Sequence, residues 1–242
     1  MNKIDLHCHV LPYVDDGAED IDVSLSLLKE ESRQGVRLIV ATPHLRKGMF
    51  ETPDEEIVRR FKQLKEAASV AQIPVNLLLS REYHWDKSYI QSVNSGSIFP
   101  YVKDPVTMLT EFSSVSTSDT MLHAVKELAR AGIRPLIAHI ERCMVTQDDP
   151  EGTAELLIKN GALLQVNAGS ILGWEGRRQK KTAAALIKAG SVFAVASDCH
   201  DMEGRRPNLE EAEKLLVKKY GHDAACALLY ENPLKLLKGE HR

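Results

Sequence analysis

The sequence predicts an α/β fold of parallel βα units closed into a barrel, and three observations carry that reading. Short apolar runs alternate with longer amphipathic ones along the 242 residues. The apolar runs lack strict in-out alternation, as strands buried on both faces do. Polar residues of metal-binding type stand at the C-terminal end of nearly every run. In a closed barrel those ends converge on one face; in an open doubly wound sheet, which the alternation alone would also fit, they are strung along an edge.

The strand candidates are Lys3–Leu6, Arg37–Thr42, Val75–Leu79, Thr107–Phe112, Pro135–Ile140, Leu163–Asn167 and Val192–Ser197. Between them, Ile21, Leu25 and Leu28 fall on one helical face, as do Met121, Val125 and Leu128, and then Leu209, Ala212, Leu215 and Leu216. Such spacing gives a helix with one buried stripe. The polar stretch from Arg46 to Pro53, with Gly48 inside it, reads as a loop, and Asp148 to Gly152 as a turn before a helix. No repeat, low-complexity tract or linker interrupts the pattern, so one domain over residues 1–242 is expected.

A chain of this length buries a full core without disulfides or a structural metal. Its net charge of −3 gives no basic excess for a nucleic-acid partner. Cys8, Cys143, Cys199 and Cys226 are few and scattered, as reduced thiols of a cytosolic protein are. No segment has signal-peptide character or is apolar enough to span a bilayer. A soluble, cytoplasmic protein without membrane insertion is expected.

His7-Cys8-His9 follows the first strand, and Asp198-Cys199-His200 follows the last with the same spacing. Alternate residues of a strand point the same way, so each outer pair can face one ion while the cysteine points elsewhere. Asp16 lies just beyond the first motif. His44 ends the second strand, Glu82 lies past the third, Glu111 ends the fourth and His139 the fifth. An isolated acid or histidine in an apolar strand is costly to bury unless it is paired or metal-bound. The recurrence of that anomaly at six strand ends argues for one shared centre.

Nine nitrogen and oxygen donors exceed the needs of one zinc and suit two or three metals bridged by carboxylates. Imidazole and carboxylate without thiolate favour manganese, iron, zinc or magnesium over copper(I). Arg142, three residues past His139, and Arg205 and Arg206, past the last motif, are the candidate catalytic residues for binding phosphate oxygens. Cys199 and Arg205 also have the Cys-x5-Arg spacing of thiol-based phosphatases. Asp198, Asp201 and Glu203 around that loop oppose a thiolate nucleophile. His84, His123, His222 and His241 lie off the expected strand ends and read as surface or core residues. Trp85 and Trp174 read as packing or loop lining.

These residues resemble the polymerase-and-histidinol-phosphatase (PHP) family, and more closely its bacterial protein-tyrosine phosphatases of capsule and exopolysaccharide operons. The matching stretches are HCHVLPYVDDG at 7–17, ATPHLRKGMFETP at 41–53, IAHIER at 137–142 and ASDCHDMEGRRP at 196–207. The resemblance runs to Asn232-Pro233. It implies a distorted (β/α)7 TIM-like barrel and three divalent metal ions, manganese first, with iron, zinc, magnesium or cobalt as alternatives. The implied reaction is hydrolysis of phosphotyrosine on the tail of a bacterial tyrosine kinase that governs polysaccharide export. The expected partition gives His7, His9, Glu111 and Asp198 to one metal, Glu82, Glu111 and His139 to a second, and Asp16, His44, Glu82 and His200 to a third. A histidinol-phosphate phosphatase, or a nuclease or non-catalytic PHP module, is the alternative.

Overall fold

The computed structural model describes residues 1–96 and 98–240. Its strands in chain order are β1 (Lys3–Cys8), β2 (Val36–Ala41), β3 (His44–Leu45), β4 (Asn76–Leu79), β5 (Glu82–His84), β6 (Val102–Lys103), β7 (Val106–Glu111), β8 (Ile133–Ile137), β9 (Leu163–Asn167) and β10 (Ala194–Ala196). All the expected strands are present. The short β3, β5 and β6 were not anticipated.

The strands form two sheets, in the orders β1-β2-β4 and β10-β9-β8-β7-β5-β3, with β6 added to β7. Every pair is parallel except β6 with β7. The division has a local cause. After β2 the chain runs through Thr42 and Pro43 into β3, and after β4 it runs through Ser80 and Arg81 into β5. Pro43 has no N–H to donate to a ladder, so the two strands break at the same level and resume in the other sheet. Ser80 N donates to Ala41 O at 2.9 Å and Glu82 N to Pro43 O at 3.1 Å, carrying the pairing across the break. At the far side Cys8 forms a parallel bridge with Cys199, just past β10. There His9 N donates to Cys199 O at 2.9 Å and Asp198 N to His7 O at 2.8 Å.

The strands β1 and β9 are buried throughout, including the polar Lys3, Asp5, His7, Gln165 and Asn167. The helices cover them with the expected stripes. Ser118–Arg130 buries Met121, Val125 and Leu128, and Leu209–Tyr220 buries Leu209, Ala212 and Leu216. Helix Ile21–Arg33 starts at Asp20, whose side chain accepts from Val23 N at 2.8 Å and satisfies a donor the helix leaves open. Its buried face adds Leu27, Ser24 and Glu31 to the predicted Leu28, while Ile21 and Leu25 are only partly covered.

Candidate metal centre

All nine predicted donors meet at one end of the sheets. His7 and His9, two apart on extended chain, present their Nε2 atoms to each other at 3.2 Å. Cys8 between them turns the other way, its thiol 3.7 Å from Val40 O. Glu82 is the hub: its Oε2 lies 3.2 Å from His7 Nε2, 3.3 Å from His9 Nε2 and 3.0 Å from His44 Nδ1. Its Oε1 lies 2.9 Å from His139 Nε2. Asp198 Oδ1 lies 3.3 Å from His7 Nε2. Asp16, half exposed at the mouth, sits 3.4 Å from both His44 Nε2 and His200 Nε2. Glu111 Oε1 is 4.0 Å from His139 Nε2.

The donor atoms fall into overlapping groups, each within 4.8 Å: His9, Asp16, His44 and His200; His7, Glu82 and His139; His7, His9 and Asp198; His44, Glu82 and Glu111. The grouping differs from the expected partition: His9 stands in place of Glu82 beside Asp16, His44 and His200, His7 in place of Glu111 beside Glu82 and His139, and Glu111 gathers with His44 and Glu82. The donor set fits divalent metal ions by a direct test. Glu82 Oε2, Asp198 Oδ1, His44 Nδ1 and His200 Nε2 are buried without a hydrogen-bond partner. Orphaned buried polar atoms are costly, and four of them belong to this one cluster.

Charge is distributed accordingly. Burial works against ionised Glu82, but the facing His7 and His44 hold its carboxyl well below the usual range. Burial likewise opposes ionised Asp198, and His7, Arg142 and Arg205 overcome it. His200 is pushed down to about 4 by burial and by neighbouring His9, which keeps its imidazole neutral. His44 rises to about 9, since Glu82 outweighs the cost of burial.

A second layer orients the first, as metal-binding imidazoles require. His9 Nδ1 donates to Asp15 Oδ2 at 2.8 Å, and the same oxygen accepts His44 N at 2.9 Å. His7 Nδ1 donates to Gln165 Oε1 at 3.2 Å, which also accepts His139 N at 2.9 Å. Asn167 Nδ2 donates to Asp198 Oδ2 at 2.7 Å. His84 Nδ1 donates to Glu111 Oε2 at 3.0 Å. His84 thus corrects the sequence reading: it ends β5, two residues from Glu82 and on the same side. Gln165 and Asn167 were also missed, although both are buried polar residues in an apolar strand. His123 and His222 lie on helices outside the cluster; His241 lies outside the described residues. Two donors sit on left-handed backbone, His139 at φ 30° and Asp198 at φ 52°. Such strain costs about 1–3 kcal/mol at a non-glycine residue and gathers at functional sites. Gly17 is required by space, since a Cβ there would lie 2.2 Å from His9 O.

The arginines divide. Arg142 binds Glu175 Oε2 through Nε at 2.6 Å and Asp198 Oδ2 through Nη1 at 3.0 Å. Arg205 binds Asp198 Oδ2 at 2.9 Å and reaches Asp16 Oδ2 at 3.5 Å. Both line a cavity of about 460 Å³ beside the cluster, with Asp198, Ser114 and Trp174. Arg206 departs from expectation: it turns to Glu211 at 3.0 Å and lies over the Trp174 ring at 4.6 Å. Cys199 is fully buried beside Cys8 and does not line that cavity, so the Cys-x5-Arg spacing has no thiol at its mouth.

Parallel strands covered by helices define the fold class, α/β proteins whose fold resembles that of the phosphotriesterases. The phosphotriesterase homology protein of Escherichia coli matches with a TM-score of 0.64 over 98% of each chain at 12% identity. Within that class the chain belongs to the CpsB/CapC family of capsular polysaccharide synthesis, whose model matches residues 3–238. Tyrosine-protein phosphatase CpsB of Streptococcus agalactiae is 34% identical over 98% of this chain and 99% of its own. Tyrosine-protein phosphatase YwqE of Bacillus subtilis is 30% identical over 98% and 92%. A crystal structure from work on YwqE of Bacillus subtilis and CpsB of Streptococcus pneumoniae, described as metal-dependent tyrosine phosphatases, superposes with a TM-score of 0.89 at 29% identity, covering 98% of this chain and 95% of that one.

Proposed function

We propose that this protein is a metal-dependent protein-tyrosine phosphatase of capsular or exopolysaccharide synthesis. The observation that carries the reading is the convergence of nine donors, four of them with orphaned buried atoms, beside two arginines in a chain alignable end to end with tyrosine phosphatases. His7, His9, Asp16, His44, Glu82, Glu111, His139, Asp198 and His200 would hold three divalent ions, manganese first. Such ions supply a Lewis acid for phosphoryl oxygens and a water of lowered pKa.

The chain's own residues do the rest. Arg142 and Arg205 present guanidinium N–H groups to the phosphoryl oxygens, where charge-assisted bonds stabilise the transition state. Asp198 Oδ2 tethers both side chains, so neither has to be ordered when substrate arrives. Asp15, Gln165, Asn167 and His84 keep the donors aimed. A phenolate, with a pKa of about 10, departs with less help from a proton than an alkoxide. That favours phosphotyrosine over the alkyl ester of histidinol phosphate.

The substrate we infer is the phosphotyrosine tail of a bacterial tyrosine kinase, met in the cytoplasm. In support, no helix among the described residues is long and apolar enough to cross a membrane. We also propose that the two sheets form a distorted (β/α)7 barrel in one domain over residues 1–242, supported by the strand continuations at Pro43 and Ser80 and the Cys8–Cys199 bridge. The test compares turnover of a phosphotyrosine peptide and of histidinol phosphate by protein with assayed metal content. Preference for histidinol phosphate would overturn the assignment.

A further inference from the structure

Helix Ala168–Leu172 ends at Gly173, and Trp174 and Glu175 stand between Gly173 at φ 95° and Gly176 at φ 121°. Both glycines occupy backbone that L side chains rarely adopt, which lets the chain turn on either side of the two residues. Glu175 points inward. It holds Arg142 Nε at 2.6 Å and accepts from Asn167 Nδ2 at 3.1 Å. Trp174, next to it, is 43% exposed and lines the cavity of about 460 Å³ that also contains Arg142 and Arg205.

An exposed tryptophan is ordinarily free to move. This one is clamped: the Arg206 guanidinium lies 4.6 Å from its ring centroid and is itself anchored to Glu211 at 3.0 Å. Arg206 itself does not line the cavity. The result is a fixed aromatic surface on the wall of the space beside the phosphate-facing arginines. A group esterified to a phosphate held by both arginines would enter that space.

We propose that Trp174 is a specificity-determining residue, the wall against which the aromatic ring of the substrate lies, selecting aryl over alkyl phosphate monoesters. The inference rests on the phosphotyrosine reading above. A phenyl ring bonded through oxygen to a phosphate between Arg142 and Arg205 enters the cavity as a flat π surface and packs on the indole. An alkyl ester has no such face and gains little there. Arg206 acts through Trp174 as a positioning residue.

The test uses metal-loaded full-length protein and the variants Trp174→Ala and Trp174→Phe. For a phosphotyrosine peptide, Trp174→Ala raises KM about 5- to 10-fold, the size of one aromatic contact, with kcat changed less than about 2-fold. Trp174→Phe returns KM to within about 2-fold. Inhibition by inorganic phosphate and by β-glycerophosphate, an alkyl monoester, is unchanged in both variants, since the arginines stay in place. The half-exposed side chain leaves the core intact, which thermal unfolding checks. Equal loss of affinity for the peptide and both inhibitors, or no change in any, overturns the proposal while wild-type phosphotyrosine turnover stands. Absence of that turnover in the unaltered protein overturns both readings.

Discussion

The carboxylates at the heart of the donor cluster and those directly behind it are equally buried but titrate in opposite directions. Glu82 and Asp198 face imidazoles and guanidiniums and stay ionised. Asp5, on the same face of β1 as His7 and His9 but one step deeper, is pushed up to about 6 by burial, against the bonds it accepts from Ser197 and His7 N. Glu31 reaches it from helix Ile21–Arg33, and burial, with the Asp5 carboxylate nearby, drives its pKa well above the usual range. Burial alone therefore does not make a metal site. A buried acid beside acids and thiols, as Glu31 is, holds a proton, and one facing imidazoles and arginines keeps its charge.

The largest effect that can break this contrast is loss of a donor on the ionised side. Asp198→Ala removes a proposed metal ligand and the tether of two arginines. Activity should fall at least about 100-fold, and elemental analysis should show fewer than the three metals per chain expected of the unaltered protein. Full activity after exhaustive chelation, with no metal detected, would sink the metal-centre reading.

Arg142 tests the cationic edge of the cluster. Arg142→Ala should lower kcat/KM about 10-fold or more, from losing charge-assisted bonds worth ~1.5–3 kcal/mol, with metal content unchanged. Near-normal kinetics would make it a structural partner of Glu175 and nothing more.

Glu31 tests the protonated side. Its folded pKa lies above the ordinary glutamate value of 4.5, so the native state binds the extra proton. Stability then falls as pH rises past the unfolded value, by up to about 1.4 kcal/mol per unit until the folded pKa is passed. Glu31→Gln should remove that decline, matching the parent near pH 4 and exceeding it at pH 8 in denaturant titrations. Parallel curves for the two proteins across that range would mean that Glu31 is ionised in the fold.

The smallest effect belongs to Cys199, which shares the deep layer although two donors flank it. Cys199→Ser should keep phosphatase activity within about 10-fold, because no donor changes. A dead serine variant with intact metal content would revive the thiol mechanism.

The donors were legible because each was a charged or imidazole side chain where an apolar strand ended. The layer behind them was less so. Gln165 and Asn167 are neutral amides, and a single amide in a strand reads as ordinary. His84 was hidden because the chain after Leu79 reads as a loop, and only pairing with β7 makes it a strand. The two-sheet division was equally opaque, since a two-residue strand such as β3 has no periodicity to detect. Adjacent Arg205 and Arg206 look alike in sequence; the fold sends one to Asp198 and the other to Trp174.

The strand breaks at Pro43 and at Ser80-Arg81 have a consequence for how such a site can diversify. They place His44 and Glu82 at the starts of β3 and β5, paired with each other in register, rather than at the tips of strands. Chain beyond Leu45 or His84 can lengthen, shorten or change composition while the ladder keeps both donors clamped. That part of the hydrolytic centre is thereby insulated from the loops that follow it. A lineage built on this scaffold can retarget itself by loop exchange alone, without first surviving a broken active site.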